Sequence, residues 1–178
     1  MGFTHYWEFV KPKSIKGKHQ EIEEQYQLAV RQCQRLVKAH NKTVKSIDAK
    51  HPDRLSGYSA HTKLNDYLGL EVNGTADLAH ETFSLRDHWS ANEAFNFCKT
   101  NRKPYDVVVT ACLIIMKHYL KDLVVVSSDG FQSDWLDGLR LAKSVSKIKS
   151  LAIPSNIAVC PMERPSQVGE IKLIHIMK

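Results

Sequence analysis

Apolar residues recur along this chain at two spacings, and the change of period divides it into strands and helices. Phe3, His5, Trp7 and Phe9 alternate with Thr4, Tyr6 and Glu8, the two-residue period of a strand with one face turned inward. After a loop at Pro12 to Gly17, Ile22, Tyr26, Ala29, Val30, Cys33, Leu36 and Val37 fall at helical spacing between about His19 and His40. That stretch predicts an amphipathic helix. Glu21, Glu23 and Glu24 near its start and Arg35, Lys38 and His40 near its end suit the helix dipole.

From Thr43 to Lys63 the periodicity fades, with loop signals at His51-Pro52-Asp53 and Ser56-Gly57 and a short element around Val44 to Ile47. Tyr67 to Val72 and His80 to Leu85 flank the turn-forming pair Asn73-Gly74, which predicts an antiparallel hairpin with a loop longer than the minimum. A further strand is expected at Ala94 to Lys99. In Pro104 to Leu120, Val107-Val108-Val109 favours a strand by propensity. The length, the proline and Asp106 in the first turn, and the Lys117-His118 ending argue instead for a helix. Being apolar on nearly every side, it is expected to be the central buried one. Leu123 to Val126 reads as a short buried strand ended by Ser127-Ser128-Asp129-Gly130. A last helix follows from Ser133-Asp134 to about Lys147, with Trp135, Leu136, Leu139, Leu141, Ala142 and Val145 as its inner face. Beyond Ser150, Pro154, Pro161 and Pro165 interrupt the pattern, and Ile171 to Ile176 suits an edge strand or a partner contact.

The fold expected is α+β: a small mixed or antiparallel sheet of about five strands packed against about three helices. One domain is expected over residues 1–150, with 151–178 as a C-terminal tail. At 178 residues, 43% hydrophobic and 25% charged, the chain can bury a core without disulfides or metal staples. The ten-residue run Val107 to Met116 is too short to span a bilayer. The N-terminus lacks a basic segment followed by an apolar one, so neither a membrane span nor a secretory signal is expected, and the location expected is cytoplasmic. Cys33, Cys98, Cys112 and Cys160 are widely spaced without a Cys-x-x-Cys pair and read as reduced thiols. The net charge of +6 favours acidic partners in general. Lys11, Lys13, Lys16 and Lys18, without aromatic interleaving, read as a solvated loop.

Three clusters can carry chemistry. The first is the basic loop Lys99-Thr100-Asn101-Arg102-Lys103 before the helix start at Pro104-Tyr105-Asp106. Unpaired N–H groups at a helix start attract anions, arginine grips phosphate through two parallel bonds, and Tyr105 can flank a base. The same cations also serve as ordinary surface partners of carboxylates. The second is Ser127-Ser128-Asp129-Gly130 at a strand's C-terminal end, suited to ribose or metal and equally to a plain turn with a helix cap. The third is histidine-based: His80, Thr82 and Ser84 on one strand face, with His5 on the first strand; such histidines are commonly structural. The nine histidines form no His-Glu-x-x-His or zinc spacing, and neither a Walker loop nor a Gly-x-Ser-x-Gly elbow is present. No cofactor is expected.

The segments Gly2-Phe3-Thr4-His5-Tyr6-Trp7, His80-Glu81-Thr82-Phe83, Phe97 to Asp106, and Val126 to Gly130 with Asp134-Trp135 resemble an uncharacterised family of small proteins of bacteriophages, prophages and bacteria. The resemblance covers the chain to about residue 148. It implies a phage-related setting and gathers Thr4, His5, His80, Glu81, Lys99, Thr100, Arg102, Ser127, Ser128 and Asp129 into one polar pocket. The leading expectation is a binding protein for an anionic, nucleotide-like small molecule, extending to sequestration of a host immune signalling nucleotide. Its binding residues are His5, Trp7, His80, Thr82, Lys99, Thr100, Arg102, Lys103, Tyr105, Ser127, Ser128 and Asp129, with Trp7 or Tyr105 stacking on a base. The alternatives are an enzyme acting on a nucleotide or phosphoester, with His80 or His5 as acid–base and Asp129 or Glu81 as orienter, and a protein-binding inhibitor of a host nucleic-acid-directed defence complex. Homo-oligomerisation stays open.

Overall fold

The computed structural model describes residues 2–10, 17–48, 69–74 and 76–160. Among these residues, two antiparallel sheets and three α-helices form an α+β fold in a single domain. The strand β1 (Thr4–Phe9) lies at the centre of a three-stranded sheet between β4 (Phe95–Lys99) and β5 (Val124–Ser128). Its neighbours fall at Tyr6↔Phe97 and Tyr6↔Ser127, and at His5↔Cys98 and His5↔Ser128. Among the described residues the hairpin strands β2 (Leu70–Val72) and β3 (Phe83–Leu85) pair only with each other, Val72 opposite Phe83. The single five-stranded sheet expected from sequence is therefore divided, and the sheet itself holds three strands. Physically, β3 begins at Phe83 rather than His80 because Asn73 captures the preceding residues. Its side chain accepts the His80 N–H at 3.0 Å and donates to the His80 carbonyl and the Thr82 hydroxyl, both at 3.0 Å.

The first helix, α1 (His19–Asp48), buries every apolar position that the periodicity selected. It continues eight residues past His40, because neither glycine nor proline interrupts it there. The element expected at Val44 to Ile47 is its last part. The second helix, α2 (Asp106–Leu120), is the central one, buried at every position from Val108 to Met116 and packed against α1 and the third helix, α3 (Leu136–Ser146). Burial of each of its large apolar side chains contributes about 1.5–3 kcal/mol, which overrides the strand propensity of the valine run. Gly138 of α3 permits the close approach to α2: a Cβ there would lie 2.2 Å from Thr110 Oγ1. A 3-10 turn at Gln132–Trp135 precedes α3, and Leu136, expected inside, is exposed because its helix begins one residue after the fully buried Trp135.

The inner face of the sheet carries His5, Trp7, Phe9, Cys98, Val124 and Val126, all buried. Since β5 is an edge strand whose outer face is free, Val125 is exposed instead of buried. Past residue 150 the chain still packs: Leu151 and Ile157 are buried, and the Gln132 N–H donates to the Ala158 carbonyl at 2.8 Å. Asn156 also donates to the Val126 carbonyl on the free edge of β5. Ile171 to Ile176 lie outside the described residues. No described helix is long and apolar enough to cross a membrane.

Candidate functional site

The start of β1, the ends of β4 and β5 and the start of α2 meet at one end of the sheet, and several polar candidates gather there. Thr100 to Lys103 forms a tight turn closed by the Lys103 N–H on the Thr100 carbonyl at 3.0 Å, with Asn101 at φ 51° and Arg102 at φ 56°. Two successive positive φ angles define the mirror-image turn that glycine or asparagine fills most easily. Asn101 suits it, whereas an arginine there is strained and must be held by its contacts. The Arg102 guanidinium lies 4.0 Å over the Phe3 ring and pairs with Asp134, with 59% of its side chain still exposed. Burial raises the Asp134 pKa, but hydrogen bonds from Arg102 and from the Phe131 N–H, with the Arg102 charge, outweigh it and hold the carboxyl below its ordinary range. Phe3 rests on the β5 turn because residue 130 is glycine: a Cβ there would come within 2.5 Å of the ring.

Beside this stack opens a surface cleft of about 570 Å³ lined by Gly2, Phe3, Asn101, Arg102 and Asp129, within the usual range for small-ligand sites. The Asp129 carboxylate accepts the Thr4 N–H at 3.1 Å and the Tyr6 hydroxyl at 3.3 Å. Lys99 borders the cleft, since its side chain runs against Gly2.

Beneath Phe3 lies a buried polar chain. His5 is fully buried, edge-on to both Phe3 and Trp135. Its Nε2–H donates to Asp106 Oδ1 at 2.7 Å, and Thr100 donates to the same oxygen. The Ser128 hydroxyl donates to His5 Nδ1 at 2.9 Å and accepts the Gly130 N–H at 3.0 Å. Asp106 thus fixes the tautomer of His5. Relative to the serine hydrolase arrangement the two ring nitrogens are exchanged, and Ser128 is not among the residues lining the cleft.

Six candidates therefore converge here: His5, Lys99, Thr100, Arg102, Ser128 and Asp129. The roles of several others change. Trp7 packs on Phe83 inside the core, and Tyr105 is buried with its hydroxyl on the Glu81 carbonyl at 2.7 Å, so neither ring is open to a base. Burial raises the Tyr105 hydroxyl pKa, and likewise pushes the Cys98 thiol up to about 12. Thr100, although within the cluster, is spent on Asp106. Lys103 reaches the Asp77 carbonyl at 2.7 Å instead of the cleft. His80 and Thr82 sit exposed on the hairpin loop, and Ser127 faces outward from β5. Glu81 orients no histidine; it extends β4, accepting the Lys99 N–H at 2.7 Å. At the start of α2 the Asp106 N–H bonds the Lys103 carbonyl at 2.9 Å and the Val108 N–H the Tyr105 carbonyl at 3.0 Å, so these donors of the expected anion site are already used.

Residues that sequence reasoning missed include Asp106, which joins three elements, and Phe3 and Asp134; Asn101, part of the expected basic loop, does line the cleft. Asp106 carries no signal beyond its place in a first helical turn. Comparison with models of protein families, with curated proteins and with solved structures finds no match for this chain.

Proposed function

We propose that the chain binds a small anionic ligand of nucleotide type in the cleft of Phe3, Asn101, Arg102 and Asp129. The observation that carries this reading is Arg102: a cation kept in a left-handed backbone conformation, laid on an aromatic ring and presented at the cleft. Strain retained at one residue marks places where geometry serves a role. In this reading Arg102 and Lys99 meet phosphate, the Asn101 amide adds a neutral donor, and Asp129 accepts from sugar hydroxyls. The phage-type setting, with sequestration of a host signalling nucleotide, belongs to the same proposal and rests on the family resemblance alone.

Binding without turnover is favoured because His5, the base nearest the cleft, is fully buried with both ring nitrogens bonded. Titration calorimetry against linear and cyclic nucleotides tests the reading. Saturable binding that weakens about tenfold or more in Arg102→Ala supports it, since charge-assisted bonds contribute roughly 1.5–3 kcal/mol. A flat response across the panel sinks it. One observation favours catalysis: the continuous Ser128–His5–Asp106 chain. Turnover of a bound nucleotide that disappears in Ser128→Ala while binding persists would establish that alternative.

A further inference from the structure

The outer face of the three-stranded sheet is covered by no described element, and it is aromatic. Phe95 and Phe97 of β4 are 57% and 55% exposed, and Tyr6 of β1 stands opposite Phe97. The Tyr6 and Phe95 rings lie nearly parallel at 6.1 Å between centroids, and Phe95 and Phe97 are 6.4 Å apart. Lys99 continues the same outward row at its upper end, opposite Thr4, with Arg102 in the turn just beyond. Beside the row, a cavity of about 210 Å³ is lined by Trp7, Thr82, Ser84, Phe95, Asn96 and Phe97. Trp7 is almost fully buried, and its indole N–H has no acceptor in the structure. A buried donor of this kind is costly unless something supplies the missing acceptor.

We propose that this face is a stacking surface for a short single-stranded stretch of nucleic acid. Exposed rings on an antiparallel sheet stack about two or three successive bases whatever their identity, because every base has a π face. The adjoining cavity offers the hydroxyls of Thr82 and Ser84 and the amide of Asn96 to base edges. Lys99 places positive charge at one end of the row, on a chain of net charge +6. The acidic groups on this face confine the contact. Glu8 stands opposite Phe95 at the far end, while the carboxylate of Asp129 is held by Thr4 and Tyr6. The strand fitted by this charge pattern is therefore short, with its phosphates toward Lys99. Phe95 and Phe97, which carry the proposal, do not line the cleft, and Lys99 is the residue that the two readings share.

The test is fluorescence anisotropy of the full chain with a labelled single-stranded oligonucleotide, the same sequence as a duplex, and a salt series. The expected result is preference for the single strand, lost about tenfold in each of Phe95→Ala and Phe97→Ala. Because both rings are exposed, folding should persist in these variants, and Phe97→Leu, which keeps the apolar area without the ring, should lose nearly as much. One phosphate contact, to Lys99, gives a shallow salt slope of about −0.7. Equal affinity for duplex, indifference to the phenylalanine variants, or a far steeper slope would overturn the proposal. So would a dimer in solution that Phe97→Ala dissociates, because a second copy would then cover the face. Calorimetry with mononucleotides on Phe97→Ala keeps the two sites distinct: retained binding there with oligonucleotide binding lost supports this surface and leaves the cleft reading intact.

Discussion

Replacing His5 with alanine tests whether the chain beneath Phe3 is a structural latch. The imidazole joins β1 to β5 through Ser128 and to α2 through Asp106, and fills the space between Phe3 and Trp135. Deleting it removes two hydrogen bonds. The one to Ser128 contributes about 1 kcal/mol and the one to the Asp106 carboxylate about 1.5–3 kcal/mol. The cavity left between two aromatic rings adds about 1–2 kcal/mol. The expected loss is about 3.5–6 kcal/mol, a large share of the roughly 5–15 kcal/mol that stabilises a domain. Urea unfolding followed by circular dichroism measures it, with the midpoint falling and the slope unchanged. Ser128→Ala, which leaves the His5–Asp106 bond intact but the Gly130 N–H unbonded, is expected to cost about 1–2 kcal/mol. Because both substitutions break the same bond, their double mutant should lose less than the sum. A His5→Ala loss below about 1 kcal/mol would refute the latch.

Gly138→Ala places a methyl group against Thr110 where α2 and α3 touch; overpacking of this kind costs about 1–3 kcal/mol, read as a fall in Tm of about 2–4 °C per kcal/mol. Burial lowers the His40 pKa from its ordinary 6.5 to about 4. The unfolded chain therefore takes up a proton that the folded chain refuses, so stability is full above pH 6.5, falls as pH drops toward 4 and levels off below it. His40→Gln should flatten that window in a series of urea midpoints at different pH. Asp134, whose folded pKa is lowered, acts in a more acidic range: its contribution is present above the ordinary carboxylate value and lost as pH falls through the folded one. Asp134→Asn should reduce only that acid-side loss.

How much of this was legible in the chain varies with the kind of signal. Periodicity located α1, whose selected apolar residues are all buried, and the inward face of β1 down to His5. Length and end signals identified α2 against its valine run, since tertiary burial decides such a segment and local propensity does not. The Asn73-Gly74 pair placed the hairpin, but the two side-chain groups of Asn73 shortened β3 by taking bonds that alternation cannot register. In the site, loop and turn residues were found by type, while their availability was not. Thr100 and Tyr105 are polar residues closed off by partners, Asp106 for the one and the Glu81 and Lys99 carbonyls for the other, reached only through the fold. The pattern Phe95-Asn96-Phe97-Cys98 shows a strand without saying which face is covered. Here Cys98 turns inward and both phenylalanines turn outward.

The most direct test of the cleft reading is residue-resolved: amide chemical shifts of the labelled chain during titration with a nucleoside diphosphate. The expected result is a saturable set of shifts confined to Gly2, Phe3, Asn101, Arg102 and Asp129 and their neighbours, much weakened in Arg102→Ala. Shifts that cluster elsewhere, or none at millimolar nucleotide, would contradict it.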